Sequence, residues 1–226
     1  DMARHGVDKP IVITEVTAAL GTVLPERVKA SHVYKRYGVA EAHGVLASWW
    51  FVLHWVNTGE FRYCSLIDPG TGEPHEGAAA YARLTEAIED AQFLKRHDAG
   101  EGNWVLEWER GDRRVFLAWA EGEGATGSVS LPCGQGDGTV VDVAGHEWPV
   151  RAAGNFGINL RDEPLLLDLP APRSPGGIRP ARDFSPVELR LPRGAASAAT
   201  IPGVSGTPNL DAPAGIEASF DADTIK

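Results

Sequence analysis

The spacing of hydrophobic residues divides the chain into three stretches. In the first, residues 1 to about 98, short apolar runs alternate with segments of helical period. Residues 11–14 read as a strand set off by Pro10. Pro25 stands where a helix can begin, and in ERVKASHVYKRYG (residues 26–38) Val28, His32 or Val33, and Tyr37 recur at helical spacing before Gly38. GVLASWWFVLHW, residues 44–55, is a near-continuous apolar run, as in a strand covered on both faces. Residues 76–96 predict one helix, with Tyr81, Leu84, Ile88 and Phe93 or Leu94 along one side. Strand, helix, strand, helix is the order of a parallel sheet or barrel.

From about 103 to 169 the period changes to two. WVLEWE, RVFLAWAE, GSVSLP, GTVVDV, EWPV, FGINL and PLLLDL are short runs of β-formers. The clusters RGD, GEGATG, GQGDG, AGH and RDE separate them, at the spacing of an antiparallel sandwich. Beyond Pro170 the composition is biased, with half of the chain's 16 prolines, and predicts linker and disorder. VELRL, residues 187–191, alternates and could form a lone strand or the first strand of a further module. The expected fold class is therefore α/β followed by all-β, in three parts: residues 1–98, 99–170 and 171–226.

Composition narrows the partners. A hydrophobic fraction of 43% and a charged fraction of 23% over 226 residues suit a soluble globular protein with a sizeable core. A net charge of −10 without a basic cluster argues against nucleic acid or an acidic membrane. No run approaches the roughly 18 apolar residues of a membrane span. Cys64 and Cys133 allow at most one disulfide and set no metal pattern; two separate buried thiols are the simpler expectation. The chain opens on Asp1, mid-pattern, and is expected to be a segment of something longer, so secreted and cytoplasmic locations both stay open.

Candidate chemistry is sparse. KPIVITEV, residues 9–16, ends an apolar run on a carboxylate, and burying an unpaired carboxylate is costly. Glu15 therefore either lies in solvent past the strand or has a chemical role. In a parallel barrel, functional groups sit at the C-terminal ends of strands, which is the place of Glu15. Trp49 and Trp50 end the next run; adjacent strand residues face opposite sides, so at most one can point into a barrel mouth. Either ring suits the C–H face of a sugar, though for either one alone core packing is the simpler expectation. His54 follows at the end of the same run and could line a pocket. The other histidines show no ligand spacing, Ser48 and Ser65 lack a Gly-x-Ser-x-Gly context, and GQGDG lies between strands, so it reads as a turn. No cofactor or metal is expected.

KPIVITEV resembles the strand-seven motif of clan A glycoside hydrolases, retaining (β/α)8-barrel enzymes in which an apolar strand ends in Thr-Glu. PERVKASHVYKRYG and GVLASWWFVL are similar to the helix and strand that follow. FRYCSLIDPGTGEPHEGAAAYARL resembles the segment that closes many such barrels, and residues 114–170 resemble the β-sandwich appended in the xylosidase and iduronidase-like family. The resemblance implies the last strands and helices of an incomplete TIM barrel plus a sandwich. It implies Glu15 as nucleophile, Trp50 rather than Trp49 under the sugar, and a structural turn role for Asp68. It also implies a second carboxylate about 5 Å from the first, as acid/base. In clan A that residue follows an Asn at the end of strand four. This chain has no Asn-Glu pair.

Two readings follow. One is the nucleophile-bearing segment of a retaining glycosidase that hydrolyses O-glycosidic bonds of a poly- or oligosaccharide. Such a segment would need the rest of its barrel from upstream sequence and would be inactive alone. The other is a non-catalytic carbohydrate-associated β-sandwich module with a relic barrel segment, which exposed rings among Trp104, Trp108, Trp119 and Trp148 would favour.

Overall fold

The computed structural model describes residues 9–18, 24–54 and 64–172, and the backbone of 179–180. Strand β1 (Ile11–Val16) and strand β2 (Val45–Trp50) pair in parallel, joined by helix α1 (Glu26–Ala42). Helix α2 (Glu76–Ile88) packs against α1, and an antiparallel sheet follows. That sheet holds β3 (Gln92–Arg96), β4 (Asn103–Arg110), β5 (Arg113–Ala120), β6 (Thr126–Val141), β7 (Glu147–Arg161), β8 (Leu165–Pro170) and β9 (Arg179–Pro180). Its order is β3-β4-β5-β8-β6-β7, with β9 on β6. Among the described residues the structure is thus mostly antiparallel β-sheet with few helices.

Alternation along β4, β5 and β8 sends side chains to two cores. Leu106, Trp108, Val115, Leu117, Trp119 and Leu166 face the helices and meet Ala30, Val33, Tyr34, Ala80 and Leu84. Val105, Phe116, Ala118, Leu167 and Leu169 face the other way and are covered by Val129, Leu131, Ala152 and Leu160 of β6 and β7. Each fully buried Leu, Val or Phe contributes about 1.5–3 kcal/mol by leaving water, so the β-sheet's helical face fastens α1 and α2 firmly.

Three expectations need correction. Gly38 does not end α1. It lies in the helix interior, where an added Cβ would stand 2.5 Å from Leu117 Cδ2, so the glycine serves close helix–sheet approach. The helix expected over 76–96 stops at Ile88; Asp90 turns the chain in the left-handed region (φ 59), and residues 92–96 form β3. Phe93 fits a helical stripe by spacing, yet its ring meets Trp108 edge-on at 5.3 Å from the sheet side.

GQGDG is no turn either, because GSVSLP and GTVVDV are two halves of β6, just as EWPV and FGINL are two halves of β7. A register shift between Pro132 and Gln135 bends β6, so one strand serves both layers. The glycines are there for clearance. A Cβ on Gly138 would stand 2.7 Å from Leu169 Cδ2 and 2.8 Å from the Asp168 carbonyl. The two layers around the second core join as one seven-stranded antiparallel sheet. The linker, the expected disorder beyond 172 and VELRL lie outside the described residues, apart from the backbone of 179–180.

Candidate functional site

β1 and β2 run in parallel, so their C-terminal ends meet at one edge of the molecule. The register there is irregular: Ile13 pairs with Ser48 and Val16 with Trp50, which leaves Thr14 and Glu15 opposite Trp49 alone. Two residues against one is a β-bulge, a device that re-aims side chains at the end of a ladder. Glu15 is exposed, and so is Trp49, at 53% of its surface. The strand end therefore carries an exposed carboxylate and an exposed indole at facing positions of the register.

Trp50 takes the other side. It packs against the core between helices and sheet, and its indole N–H donates to the Cys64 carbonyl at 2.8 Å. The two tryptophans are adjacent, and the pleat sends one to solvent and one to the helices. Family alignment favoured Trp50 under a sugar; the exposed ring is that of Trp49. His54 is also exposed, and makes an isolated parallel bridge to Ile67. Asp68 sits in the following turn and accepts from the N–H groups of Gly70 and Thr71, both at 2.8 Å, the turn role expected for it. These bonds, Thr71's first, hold its carboxyl below the usual range. Cys64 and Cys133 are both buried thiols.

Behind Trp50 lies a group of charged residues that sequence reading passed over. Lys29, in the first turn of α1, is only 3% exposed. Its ammonium donates to Glu26 Oε1 at 2.6 Å and to the Ser65 carbonyl at 3.1 Å. His75 Nδ1 stands 3.7 Å from the second Glu26 oxygen. The available signal was positional: Lys29 falls four residues before Val33, on the buried face of the helix. Farther off, His97 Nε2 and Glu107 Oε2 meet at 2.6 Å, both buried, with Arg114 Nε 3.2 Å from the other oxygen of Glu107.

Two depressions of about 310 Å³ each lie elsewhere on the described surface. One is lined by Arg96, His97, Asp98, Ala99, Gly100 and Asn103, the other by Thr126, Gly127, Ser128, Asn159, Leu160 and Arg161. Neither includes a residue of the β1–β2 end, and the first is flanked by the Arg96 guanidinium stacked 3.4 Å over the Trp104 ring. Trp104 is half-buried, stacked on Trp119 at 5.2 Å, and only Trp148 among the sheet's tryptophans is largely exposed.

No protein-family model matches the sequence, and no curated protein matches it. Solved structures do resemble the fold. The family 30 endoxylanase from Clostridium papyrosolvens C71 superposes with a TM-score of 0.55 at 12% identity, over 72% of this chain and 42% of that one. A glycoside hydrolase family 30 subfamily 8 xylanase from Clostridium acetobutylicum gives 0.54 at 15% identity, over 72% and 43%. The catalytic domain of a family 30 xylanase from Talaromyces cellulolyticus gives 0.52 at 12%, over 73% and 41%. At such identities the likeness is one of fold, and this chain spans about two fifths of the length of these enzymes. The described chain thus shares its fold with part of each of these three solved structures, and the likeness is one of fold alone.

Proposed function

We propose that this chain is the nucleophile-bearing segment of a retaining glycosidase acting on O-glycosidic bonds of a poly- or oligosaccharide. The observation that carries the reading is the bulge that sets the exposed Glu15 opposite the exposed Trp49 in the register, at the C-terminal end of a parallel strand pair. The likeness of fold to three xylanases supports it, and makes xylan the first substrate to try. So does the exposure of apolar side chains on the pair: Leu46 is 70% exposed, and Ile11, Val12 and Leu53 are exposed too. Parallel strands normally lie covered on both faces, which suits further βα units packed here.

In this reading the ionised Glu15 carboxylate attacks the anomeric carbon as the bond to the leaving oxygen breaks. A second carboxylic acid, from outside this chain, protonates that oxygen. It then takes a proton from the water that cleaves the glycosyl ester and frees Glu15. Trp49 supplies a flat apolar surface for the sugar's C–H face.

The test uses the full-length protein. A 2-deoxy-2-fluoro glycoside with a good leaving group should inactivate it and leave one glycosyl adduct, found by peptide mass spectrometry on the segment containing Glu15. Glu15→Gln should abolish both the adduct and turnover. An adduct elsewhere, or undiminished turnover in Glu15→Gln, would remove the nucleophile role and leave the carbohydrate-associated module as the better reading.

A further inference from the structure

Burying an ammonium is costly unless it is paired and hydrogen-bonded, so an almost fully buried lysine needs a reason. Lys29 stands where three pieces of chain converge: the first turn of α1, residues 64–67 and the first turn of α2. Its stem runs past Gly77 of α2, where an added Cβ would lie 3.4 Å from Lys29 Cδ and 2.9 Å from Leu66 Cδ2. Its charge is matched by Glu26, and its remaining reach goes to the Ser65 carbonyl.

The segment it grips is the one that holds Trp50. The Cys64 carbonyl accepts from the Trp50 indole, and the next carbonyl along accepts from Lys29. Ser65 Oγ donates to the Ile67 carbonyl at 2.8 Å, the N–H groups of Leu66 and Ile67 donate to the Leu53 carbonyl, and His75 N–H donates to the Leu66 carbonyl at 2.9 Å. Residues 64–67 are thereby fixed to the chain leaving β2 and to the entry of α2. With Trp50 held from below, its neighbour Trp49 faces outward beside Glu15.

We infer that Lys29 is a positioning residue: through the Ser65 and Cys64 carbonyls it sets Trp50, and so presents Trp49 as the sugar platform. The platform half of this statement rests on the glycosidase reading; the link from Lys29 to Trp50 does not. The buried pair also explains why charge, and not another apolar residue, occupies this point. A methionine would fill the stem's space but could not hold a backbone carbonyl at a set distance.

The experiment uses the full-length protein and the double variant Lys29→Met/Glu26→Gln, which keeps volume and leaves no buried charge behind. Hydrogen exchange of the indole N–H groups is followed by ¹⁵N NMR, with Trp50→Phe to assign its signal. The Trp50 indole should exchange at least several-fold faster in the double variant, the others unchanged. In parallel, KM for xylo-oligosaccharides should rise about three- to tenfold with kcat little altered, a coupling of the size seen within one hydrogen-bond network. That rise should vanish in a Trp49→Ala background. Unchanged Trp50 exchange overturns the positioning role whatever the activity, and so does a KM rise that persists without Trp49. If wild-type protein turns over no glycoside while Trp50 exchange does respond, the glycosidase reading falls and the link from Lys29 to Trp50 stands.

Discussion

Arg27, in the first turn of α1, donates to Asp142 across 3.1 Å, and its Nε donates to Glu163 at 2.5 Å. Asp142 follows β6 and Glu163 lies between β7 and β8, so one guanidinium joins the helical layer to two loops of the antiparallel sheet. Both carboxylates raise the guanidinium's proton affinity, the Glu163 hydrogen bond most. Replacing Arg27 by Met leaves the largely buried Asp142 without its cation. Asp142 keeps its bonds from Ala144 and His146, so the expected loss is about 1.5–3 kcal/mol of unfolding free energy, the usual worth of a hydrogen bond to a charged group. A urea midpoint equal to that of the parent would show that the contact is incidental.

The same aspartate sets a pH dependence. Burial pushes the Asp142 carboxyl up, but bonds from the His146 side chain and backbone, with the charge of Arg27, outweigh it and hold the folded-state value below normal. A carboxyl depressed on folding binds fewer protons folded than unfolded. Its contribution is therefore complete above the unfolded value of about 3.9 and is lost as pH falls through the lower folded value. Thermal midpoints measured from pH 6 down to 2.5 should fall more steeply for the parent than for Asp142→Asn. Parallel curves would refute the assignment.

His97 and Glu107 form a buried polar pair at the β3–β4 end of the sheet, with side chains 4% and 7% exposed and the half-buried Arg114 beside them. Glu107→Ala takes the carboxylate from the buried His97 Nε2 and from Arg114 Nε, while Arg114 Nη1 keeps Glu109 at 2.7 Å. Breaking a buried pair from one side costs about 3–5 kcal/mol. Calorimetry should show a drop of several degrees in the unfolding midpoint; a drop under one degree would mean water replaces the carboxylate.

The two adjacent tryptophans should separate by phenotype. In the full-length protein Trp49→Ala should raise KM for oligosaccharides about three- to tenfold, the worth of one aromatic stacking contact, and leave the urea midpoint in place. Trp50→Phe should instead lower stability by about 1 kcal/mol, because the Cys64 carbonyl loses its donor. The reverse pattern, catalysis impaired by the change at 50 and stability by the change at 49, would restore the family-based choice of Trp50.

What the sequence showed best were features whose cause is local. Pro25 and the spacing of Val33 and Tyr37 announce α1, and alternation announces β4, β5 and β8, because each period is imposed by the geometry of a single element. Asp68 could be placed in its turn for the same reason: an Asx side chain bonds backbone a few residues away. Phe93 marks the limit, since its spacing fits the stripe of α2 as well as it fits β3. Pairing with Trp108 decides between them, and Trp108 is not local.

The site divides along the same line. From sequence alone came a carboxylate ending an apolar strand, a pair of aromatics ending the next, and the rule that at most one of the pair can point into a barrel mouth. Tertiary structure alone decided which of the two rings stands in solvent and which is packed. The register shift that sets Thr14 and Glu15 against Trp49, and the Cys64 carbonyl that claims the Trp50 indole, are relations between segments whose residues lie 14 or more positions apart. Lys29 was hidden for the same reason. A lysine in a helix reads as solvent-facing until the chain folds a carbonyl and a carboxylate around it, since only paired groups make a buried charge tolerable.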